Sequence, residues 1–207
     1  MLRLIFVRHG RTHGNVAGGV QGSGPLDEVG RAQAMALAER LAGEHISAVY
    51  SSPALRARQT AGAVAGRLGL RVRSSVLLRD LDYGRFAGAL RADVMRDAPG
   101  LLERWRASPH AVRFDGGDTI ADLRTRITRF IARAARAHAG TTVLAATHDS
   151  PVRVAASLAL GLDDSQHTRP DLRAPLASVT VLEIDGEAVE LALHNDVAHL
   201  RGIDGAA

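Results

Sequence analysis

The stretch that decides the fold lies at residues 2–10 and reads LRLIFVRHG. Residues 2–7 form an apolar run with β-branched members, which predicts a β-strand. The polar triplet Arg8-His9-Gly10 follows at once, so a guanidinium and an imidazole lie where this strand ends. Ligands of α/β proteins bind at the carboxyl ends of strands, so the triplet is the first candidate for a functional site.

Five more apolar runs follow along the chain, and with the first they give six candidate strands: 2–7, 48–51, 70–76, 141–147, 178–184 and 189–194. Segments with helical spacing lie between them, at 28–42, 53–68, 119–138 and 151–160. This alternation predicts an α/β fold, a three-layer α/β/α sandwich around a mostly parallel sheet of about six strands. The dipeptide Asp185-Gly186 predicts a hairpin between the last two strands, at an antiparallel edge.

We expect a single domain spanning residues 1–207, since this length suits one hydrophobic core. The segment from Gly84 to Gly117 is less regular and interrupts the alternation, which predicts a small cap over the sheet. Ser52-Pro53 and Ser150-Pro151 each place a capping side chain before a proline, so a helix is expected to begin at each proline. Residues 202–207 are expected to form a frayed tail.

Composition excludes several classes of function. The net charge is only +4, all 26 basic residues are arginines and aromatic residues make up 3%, which argues against a nucleic-acid partner. The absence of cysteine removes disulfides, thiolate nucleophiles and cysteine-based metal sites. No apolar run is long enough to span a membrane and the amino terminus does not resemble a signal peptide, so we expect a cytoplasmic protein without a membrane partner.

Four candidate strands end in groups that suit phosphate chemistry. His148 follows the fourth strand as His9 follows the first, Arg56 lies in the first turn of the helix after the second, and Asp80 follows the third. In phosphoryl transfer negative charge spreads over three oxygens, and fixed positive charges stabilise it. A neutral imidazole can attack phosphorus while an acid protonates the departing oxygen, and this scheme requires no metal or cofactor.

The motifs RHGRT at 8–12, SSPALRARQTA at 51–61 and Thr147-His148 together resemble the histidine phosphatase superfamily, which includes broad-specificity phosphatases and phosphoglycerate mutases. The resemblance extends to about residue 153, with weaker likeness at 114–119 and 195–196. It implies a metal-independent phosphatase that acts on a small phosphorylated metabolite. It also implies the site roles: His9 is the phosphorylated nucleophile, Asn15 lies near the pocket, and the phosphoryl group is held by Arg8, Arg56 and His148.

The identity of the general acid is left open between two aspartates. Asp80 falls where the family usually has a glutamate, and an aspartate is one methylene shorter. Asp149 is the rival, because the acid-phosphatase and phytase branch places its proton donor directly after the second histidine. We prefer Asp80, because Thr12 and Asn15 follow the pattern of the other branch, and we expect Asp149 mainly to cap a helix.

Further alternatives concern individual residues. Arg58 competes with Arg56 as a phosphate ligand, and Thr12 either contacts the phosphate or only shapes its loop. His9 and His13 have the spacing of a helical metal pair, but the glycines beside them argue against a helix, so no metal site is predicted. The remaining histidines are expected at the surface: His110, His138, His167, His194 and His199.

Two other functions compete with the phosphatase. One is a phosphoglycerate-type mutase, although such mutases are generally longer and carry an acidic residue at the position of Thr12. The other is a non-catalytic phosphate-binding module on the same fold. Substrate choice is expected to reside in the cap, where the residues of first interest are Phe86, Arg91, Arg104, Trp105 and Arg106.

Overall fold

The computed structural model describes residues 1–21 and 24–203, so the end of the predicted tail lies outside the described residues. Within them the strands are β1 (Leu2–Arg8), β2 (Ile46–Ser51), β3 (Val72–Ser74), β4 (Thr142–Thr147), β5 (Val179–Asp185) and β6 (Ala188–Asp196). They form one sheet in the order β3-β2-β4-β1-β5-β6. The pairs among β3, β2, β4 and β1 are parallel, whereas β5 lies antiparallel to both β1 and β6. The prediction of a mostly parallel sheet with an antiparallel edge is confirmed.

Seven α-helices are found in the described part of the chain: α1 (His13–Val16), α2 (Glu28–Arg40), α3 (Leu55–Leu68), α4 (Arg91–Asp97), α5 (Leu101–Ala107), α6 (Ile120–Ala137) and α7 (Asp149–Ala159). Short 3-10 turns occur at Val76–Leu78, Gly84–Phe86, Pro109–Ala111, Asp164–Gln166, Pro170–Leu172 and Ala198–Leu200. Thr119 caps α6 through a reciprocal pair of hydrogen bonds with Asp122, a stabilising arrangement for a helix start. None of these helices is long and apolar enough to cross a membrane.

The sheet lies between two layers of helices, as predicted. Ile5 and Val7 of β1 face a buried cluster that includes Leu37 of α2 and Val64 of α3. Leu4 and Phe6 face the opposite cluster, which includes residues of α6 and α7. Because successive side chains of a strand point to opposite faces, this single strand contributes to both cores. The continuous apolar run at residues 2–7 is therefore explained by burial on both sides.

The closing hairpin is confirmed. Asp185 pairs with Ala188 across a two-residue loop, and Gly186 adopts φ of +61°, a conformation that glycine reaches without a steric penalty. β6 is the outermost strand on this side of the sheet.

Both predicted helix starts are wrong by a few residues. α3 begins at Leu55 rather than Pro53, and its first turn receives no hydrogen bond from a capping side chain. α7 begins at Asp149, so Ser150 and Pro151 lie inside the helix and Asp149 does not cap it. The hydroxyl of Ser52 has another partner, since it lies 2.8 Å from Nε2 of His148. The local sequence predicts Ser52 as a helix cap, but in the structure its hydroxyl binds His148 of the candidate site.

The segment from Gly84 to Gly117 carries α4 and α5. Its two ends lie against each other: a Cβ atom on Gly84 would lie 2.8 Å from the backbone nitrogen of Gly117, and one on Gly117 would lie 2.7 Å from that of Gly84. Arg85 also donates a backbone hydrogen bond to Asp115 across this neck. Within the segment Val94 and Phe114 are fully buried and belong to the same apolar cluster as Phe6 of the sheet. The segment therefore packs onto the main core.

Candidate active site

The candidate groups meet because their strands are neighbours. β3, β2, β4 and β1 are consecutive in the sheet and parallel, so their carboxyl ends share one edge. His9 follows β1, His148 follows β4, Arg56 lies in the first turn of α3 after β2, and Asp80 follows the turn after β3. The structure brings all four together.

His9 is buried and its orientation is fixed from both ring nitrogens. Nδ1 lies 2.8 Å from the carbonyl oxygen of Gly10, and Nε2 lies 3.0 Å from Nε of Arg56. A carbonyl only accepts and a guanidinium only donates, so Nδ1 carries the proton and Nε2 presents its lone pair. Burial, together with the charges of Arg56 and Arg8, holds the pKa of His9 well below its usual value. The ring is therefore neutral at physiological pH, with the lone pair of Nε2 directed at Arg56.

His148 is also buried, and its ring centre lies 5.2 Å from that of His9. Its Nδ1 accepts a hydrogen bond of 3.0 Å from Nη2 of Arg56, so Nε2 carries the proton and donates to Ser52. Burial and the neighbouring guanidinium of Arg56 lower the pKa of His148 far below its usual value. Arg56 thus bridges two neutral imidazoles.

Of the arginines proposed as phosphate ligands, Arg56 and Arg8 lie in the site and Arg58 does not. Arg56 is 7% exposed and projects into the site, whereas Arg58 in the same helical turn is exposed at the surface. Arg8 donates from Nη1 to the carbonyl oxygen of Ala174 at 2.6 Å. Its Nε is buried and has no hydrogen-bond partner in the described residues. A buried donor without a partner is costly, so Arg8 is prepared to bind an acceptor.

The two candidate acids lie in different electrostatic environments. One Asp80 carboxylate oxygen lies 3.8 Å from both Nη2 of Arg56 and Nδ1 of His148. Burial nevertheless raises the pKa of Asp80 to about 6, against the opposing effect of Arg56. Desolvation would raise the pKa of Asp149 too, but the charges of Arg8 and Arg153 outweigh it and lower that pKa. Asp80 can therefore carry a proton near neutral pH, whereas Asp149 remains ionised.

Asp149 has partners that explain its charge. It forms an ion pair of 3.0 Å with Arg153 and accepts a hydrogen bond of 2.9 Å from the backbone nitrogen of Ala174. The carbonyl oxygen of Ala174 accepts from Arg8, so Asp149 supports the segment that holds Arg8.

Thr12 and Asn15 form the start of α1. Thr12 caps the helix, and Oδ1 of Asn15 accepts hydrogen bonds from the backbone nitrogen and the hydroxyl of Thr12. Asn15 lines the cavity described below, but Thr12 is fully buried and does not. The structure therefore places Thr12 as a residue that shapes the loop. A short helix does begin at His13, contrary to the sequence argument, but His9 lies outside it, at the end of β1.

A cavity of about 1150 Å³ is lined by some of these groups, but not by Arg56 or His148. Arg8, His9, Asp80 and Asp149 lie on its wall, as do Arg91, Trp105 and Arg106 of the 84–117 segment. Phe86 and Arg104 do not line it. Nowhere in residues 1–21 and 24–203 do three or more histidine, aspartate or glutamate side chains come together as they would around a metal ion.

Tyr83 and His167 are among the cavity residues that sequence reasoning missed. The prediction that His167 lies at the surface is wrong, because it is only 3% exposed and its ring packs 5.8 Å from that of Trp105. No local signal marks this histidine. It follows a 3-10 turn, and its burial depends on contact with α5, about 60 residues earlier in the chain.

Known proteins are similar to this chain over most of its length. The family model described as "Histidine phosphatase superfamily (branch 1)" matches residues 4–197. Phosphoserine phosphatase 1 of Hydrogenobacter thermophilus is 34% identical over 168 residues, which cover 80% of each chain.

Solved structures show the same fold. Bacillus stearothermophilus YhfR superposes with a TM-score of 0.92 and 27% identity, covering 97% of this chain and 100% of that one. A mycobacterial glucosyl-3-phosphoglycerate phosphatase in complex with VO3 gives a TM-score of 0.83 and 28% identity, over 93% of this chain and 98% of that one.

Proposed function

The chain belongs to the histidine phosphatase superfamily and is a phosphatase, and from this premise we propose its reaction. It hydrolyses phosphate monoesters of a small metabolite through a phosphohistidine on His9, and it needs no metal. The observation that carries the proposal is the hydrogen bonding of the His9 ring. Its Nδ1 proton is bound by Gly10, so the lone pair of Nε2 is directed into a site built from positive charge.

The phosphate-binding groups are Arg8, Arg56, His148 and Asn15. Arg56 offers N–H groups that now contact the two histidines, and phosphate oxygens are stronger acceptors than imidazole nitrogens. We expect a bound phosphate to take these donors, which releases the Nε2 lone pair for attack. Arg8 lies on the wall of the cavity and contributes its guanidinium group. We expect the neutral ring of His148 to adopt its other tautomer when phosphate binds, so that Nδ1 donates to a phosphate oxygen and Nε2 accepts from the hydroxyl of Ser52. Asn15 has committed its carbonyl oxygen to Thr12, which leaves Nδ2 as the donor for a ligand.

The first half-reaction transfers the phosphoryl group to His9. The Nε2 lone pair attacks phosphorus, the bond between phosphorus and the ester oxygen breaks, and the departing oxygen takes the proton of Asp80. The raised pKa of Asp80 supports this role, because the carboxyl must be protonated when the substrate binds. The lowered pKa of Asp149 argues against it as the donor.

The second half-reaction restores the enzyme. A water molecule attacks the phosphohistidine, Asp80 takes the water's proton, the phosphorus–nitrogen bond breaks, and Nε2 regains its lone pair. Inorganic phosphate leaves. Charge on the phosphoryl oxygens is balanced throughout by the guanidinium groups, which stay protonated at any physiological pH.

We propose further that the described chain functions as one domain in which the 84–117 segment is the cap that sets substrate choice. Support comes from its cavity residues Arg91, Trp105 and Arg106 and from the neck where Gly84 meets Gly117.

The test of the proposed function is hydrolysis of p-nitrophenyl phosphate by purified protein, with and without EDTA. We expect release of p-nitrophenol at equal rates in both. Loss of activity with EDTA that a divalent ion restores would contradict the metal-independent mechanism. No release of p-nitrophenol at any pH would favour a non-catalytic phosphate-binding module. Turnover of 3-phosphoglycerate that depends on bisphosphoglycerate would indicate a mutase.

A further inference from the structure

One wall of the cavity lies outside the phosphate-binding groups and contains a histidine that the proposed mechanism does not use. His167 follows the 3-10 turn Asp164–Gln166, and Trp105 lies on α5 of the 84–117 segment. Their rings are 5.8 Å apart and nearly perpendicular. Only 3% of the surface of His167 is exposed, and His167 lines the cavity.

The ring of His167 makes no hydrogen bond to the described part of the chain, although it is buried. Its backbone carbonyl, by contrast, accepts from Nη1 of Arg153 at 3.0 Å. The ring nitrogens of His167 are not among the fully buried atoms without a partner, so they keep some accessible surface. A ring that faces a cavity can be satisfied by what the cavity holds.

The protonation state of His167 limits which group that is. Burial, with the charges of Arg153 and Arg124, lowers its pKa to about 3, so the ring is neutral. A neutral imidazole has one N–H donor and one lone pair. A carboxylate or phosphate can only accept and an ammonium can only donate, whereas a hydroxyl does both. The neutral histidine can therefore both donate to a hydroxyl group and accept from one, whereas a charged group would use only one of its ring nitrogens.

Trp105 adds a flat apolar surface beside this histidine. Its ring is held in place by aromatic neighbours, with ring centres 5.0 Å from Phe114 and 6.5 Å from Tyr83. An indole ring next to a hydrogen-bonding side chain suits a group with apolar C–H faces and polar hydroxyl edges.

The position of His167 is fixed by contacts on both sides. Arg153 binds the carbonyl oxygens of His167 and Arg169 and pairs with Asp149, beside the catalytic groups. The hydroxyl of Thr168 donates to the carbonyl oxygen of Arg106, which ties the same loop to α5. A binding group held from two sides is preorganised, so little ordering is needed when a ligand binds.

We propose that His167 and Trp105 form a subsite that binds a hydroxyl-bearing, uncharged part of the substrate, such as a polyol or sugar ring attached to the phosphate. This inference rests on the proposed function, since it concerns the same cavity. His167 is then a residue that determines specificity and takes no part in the chemistry.

The test compares phosphate esters with and without hydroxyl groups. Glycerol 3-phosphate and propyl phosphate differ only in their hydroxyls, and glucose 6-phosphate is paired with cyclohexylmethyl phosphate, which also lacks the ring oxygen. For each pair the ratio of kcat/KM values is measured in wild type and in His167→Phe, which keeps a ring against Trp105. We expect the variant to lower the ratio for at least one pair by about tenfold, the effect of one lost hydrogen bond. Hydrolysis of p-nitrophenyl phosphate should stay within about twofold.

Two further variants serve as controls. His167→Gln retains a donor and an acceptor and should preserve most of the ratio, whereas a loss as large as in His167→Phe would show that only the shape of the ring matters. His110→Phe changes an exposed histidine of the 84–117 segment that does not line the cavity, and it should leave both ratios unchanged. Unchanged ratios in His167→Phe would overturn the subsite, while the proposed function would stand as long as p-nitrophenol is released.

A measurement without substitution at position 167 covers the case in which His167→Phe does not fold. In His9→Ala protein the ring nitrogens of His167 are followed by NMR while each ester is added. Glucose 6-phosphate or glycerol 3-phosphate should shift these resonances, and the hydroxyl-free partners should not. Equal shifts, or none, with both members of each pair would contradict the proposal.

Discussion

The Nε atom of Arg56 donates a hydrogen bond of 3.0 Å to Nε2 of His9. Because arginine only donates, this contact defines which nitrogen of His9 has the free lone pair. It also places a fixed positive charge beside the atom that would attack phosphorus. The same contact therefore sets the tautomer of the proposed nucleophile and supplies charge for the transition state.

Replacing Arg56 should abolish most activity. Arg56→Ala removes a charge that is preorganised for the transferring phosphoryl group, and we expect kcat/KM to fall by about 10²- to 10³-fold. Arg58→Ala is the matched control, since Arg58 is exposed in the same helical turn. Steady-state kinetics on p-nitrophenyl phosphate measures both. Equal losses in the two variants would refute the role of Arg56.

Asp80→Asn should affect poor leaving groups most. Alkyl phosphates need a proton on the departing oxygen, whereas p-nitrophenolate leaves without help. The ratio of alkyl to p-nitrophenyl phosphate hydrolysis should therefore fall in Asp80→Asn.

In Asp149→Asn the loss of the ion pair with Arg153 should slow both substrates to a similar extent, because Asp149 supports the segment that holds Arg8. If Asp149→Asn alone depresses the ratio, the acid has been assigned to the wrong residue.

Activity on alkyl phosphates should decline with rising pH. The pKa of Asp80 is raised to about 6, so this carboxyl is protonated below that pH and loses its proton above it. We expect the alkyl to p-nitrophenyl rate ratio to fall by about tenfold per pH unit above pH 6. The decline should be absent in Asp80→Asn. A ratio that is independent of pH in wild type would contradict acid catalysis by Asp80.

Gly30 of α2 should resist substitution for a steric reason. A Cβ atom there would lie 2.0 Å from the carbonyl oxygen of Arg11, so Gly30→Ala must displace the loop after His9. We expect a loss of roughly 1–3 kcal/mol in the free energy of unfolding.

Gly62 provides the control, because it lies in the middle of α3 on its exposed side, and a Cβ atom there would have no other atom within 4 Å. Gly62→Ala should therefore raise the free energy of unfolding by about 0.5–1 kcal/mol. Urea denaturation measures the free energy of unfolding of both variants. Equal stability of Gly30→Ala and Gly62→Ala would contradict the steric argument.

The juxtaposition of His9, His148, Arg56 and Asp80 could be predicted because it depends on strand order alone. Each residue follows a parallel strand, and parallel strands end at a common edge. The sheet itself was predictable from apolar runs, although β3 is shorter than its run suggests, Val72–Ser74 rather than 70–76. The ladder between β2 and β3 covers only three residue pairs.

Other features depend on contacts that no local pattern encodes. Ser52 looks like a helix cap, but its hydroxyl is bound to His148, which lies 96 residues away in sequence. Whether Asp80 or Asp149 carries a proton depends on Arg153 and on burial, neither of which the spacing shows. His167 is buried, and Trp105 of α5, which lies 62 residues earlier in the sequence, packs against its ring.

The most direct test of the central claim is to trap the covalent intermediate. Protein mixed with a ³²P-labelled phosphate monoester is quenched in denaturant, and the labelled peptide is identified by mass spectrometry. We predict a label on His9 that is lost in acid and retained in alkali, as for a phosphorus–nitrogen bond, and no label or turnover in a folded His9→Ala variant. A label that survives acid, a label on another residue, or an active His9→Ala enzyme would contradict the mechanism.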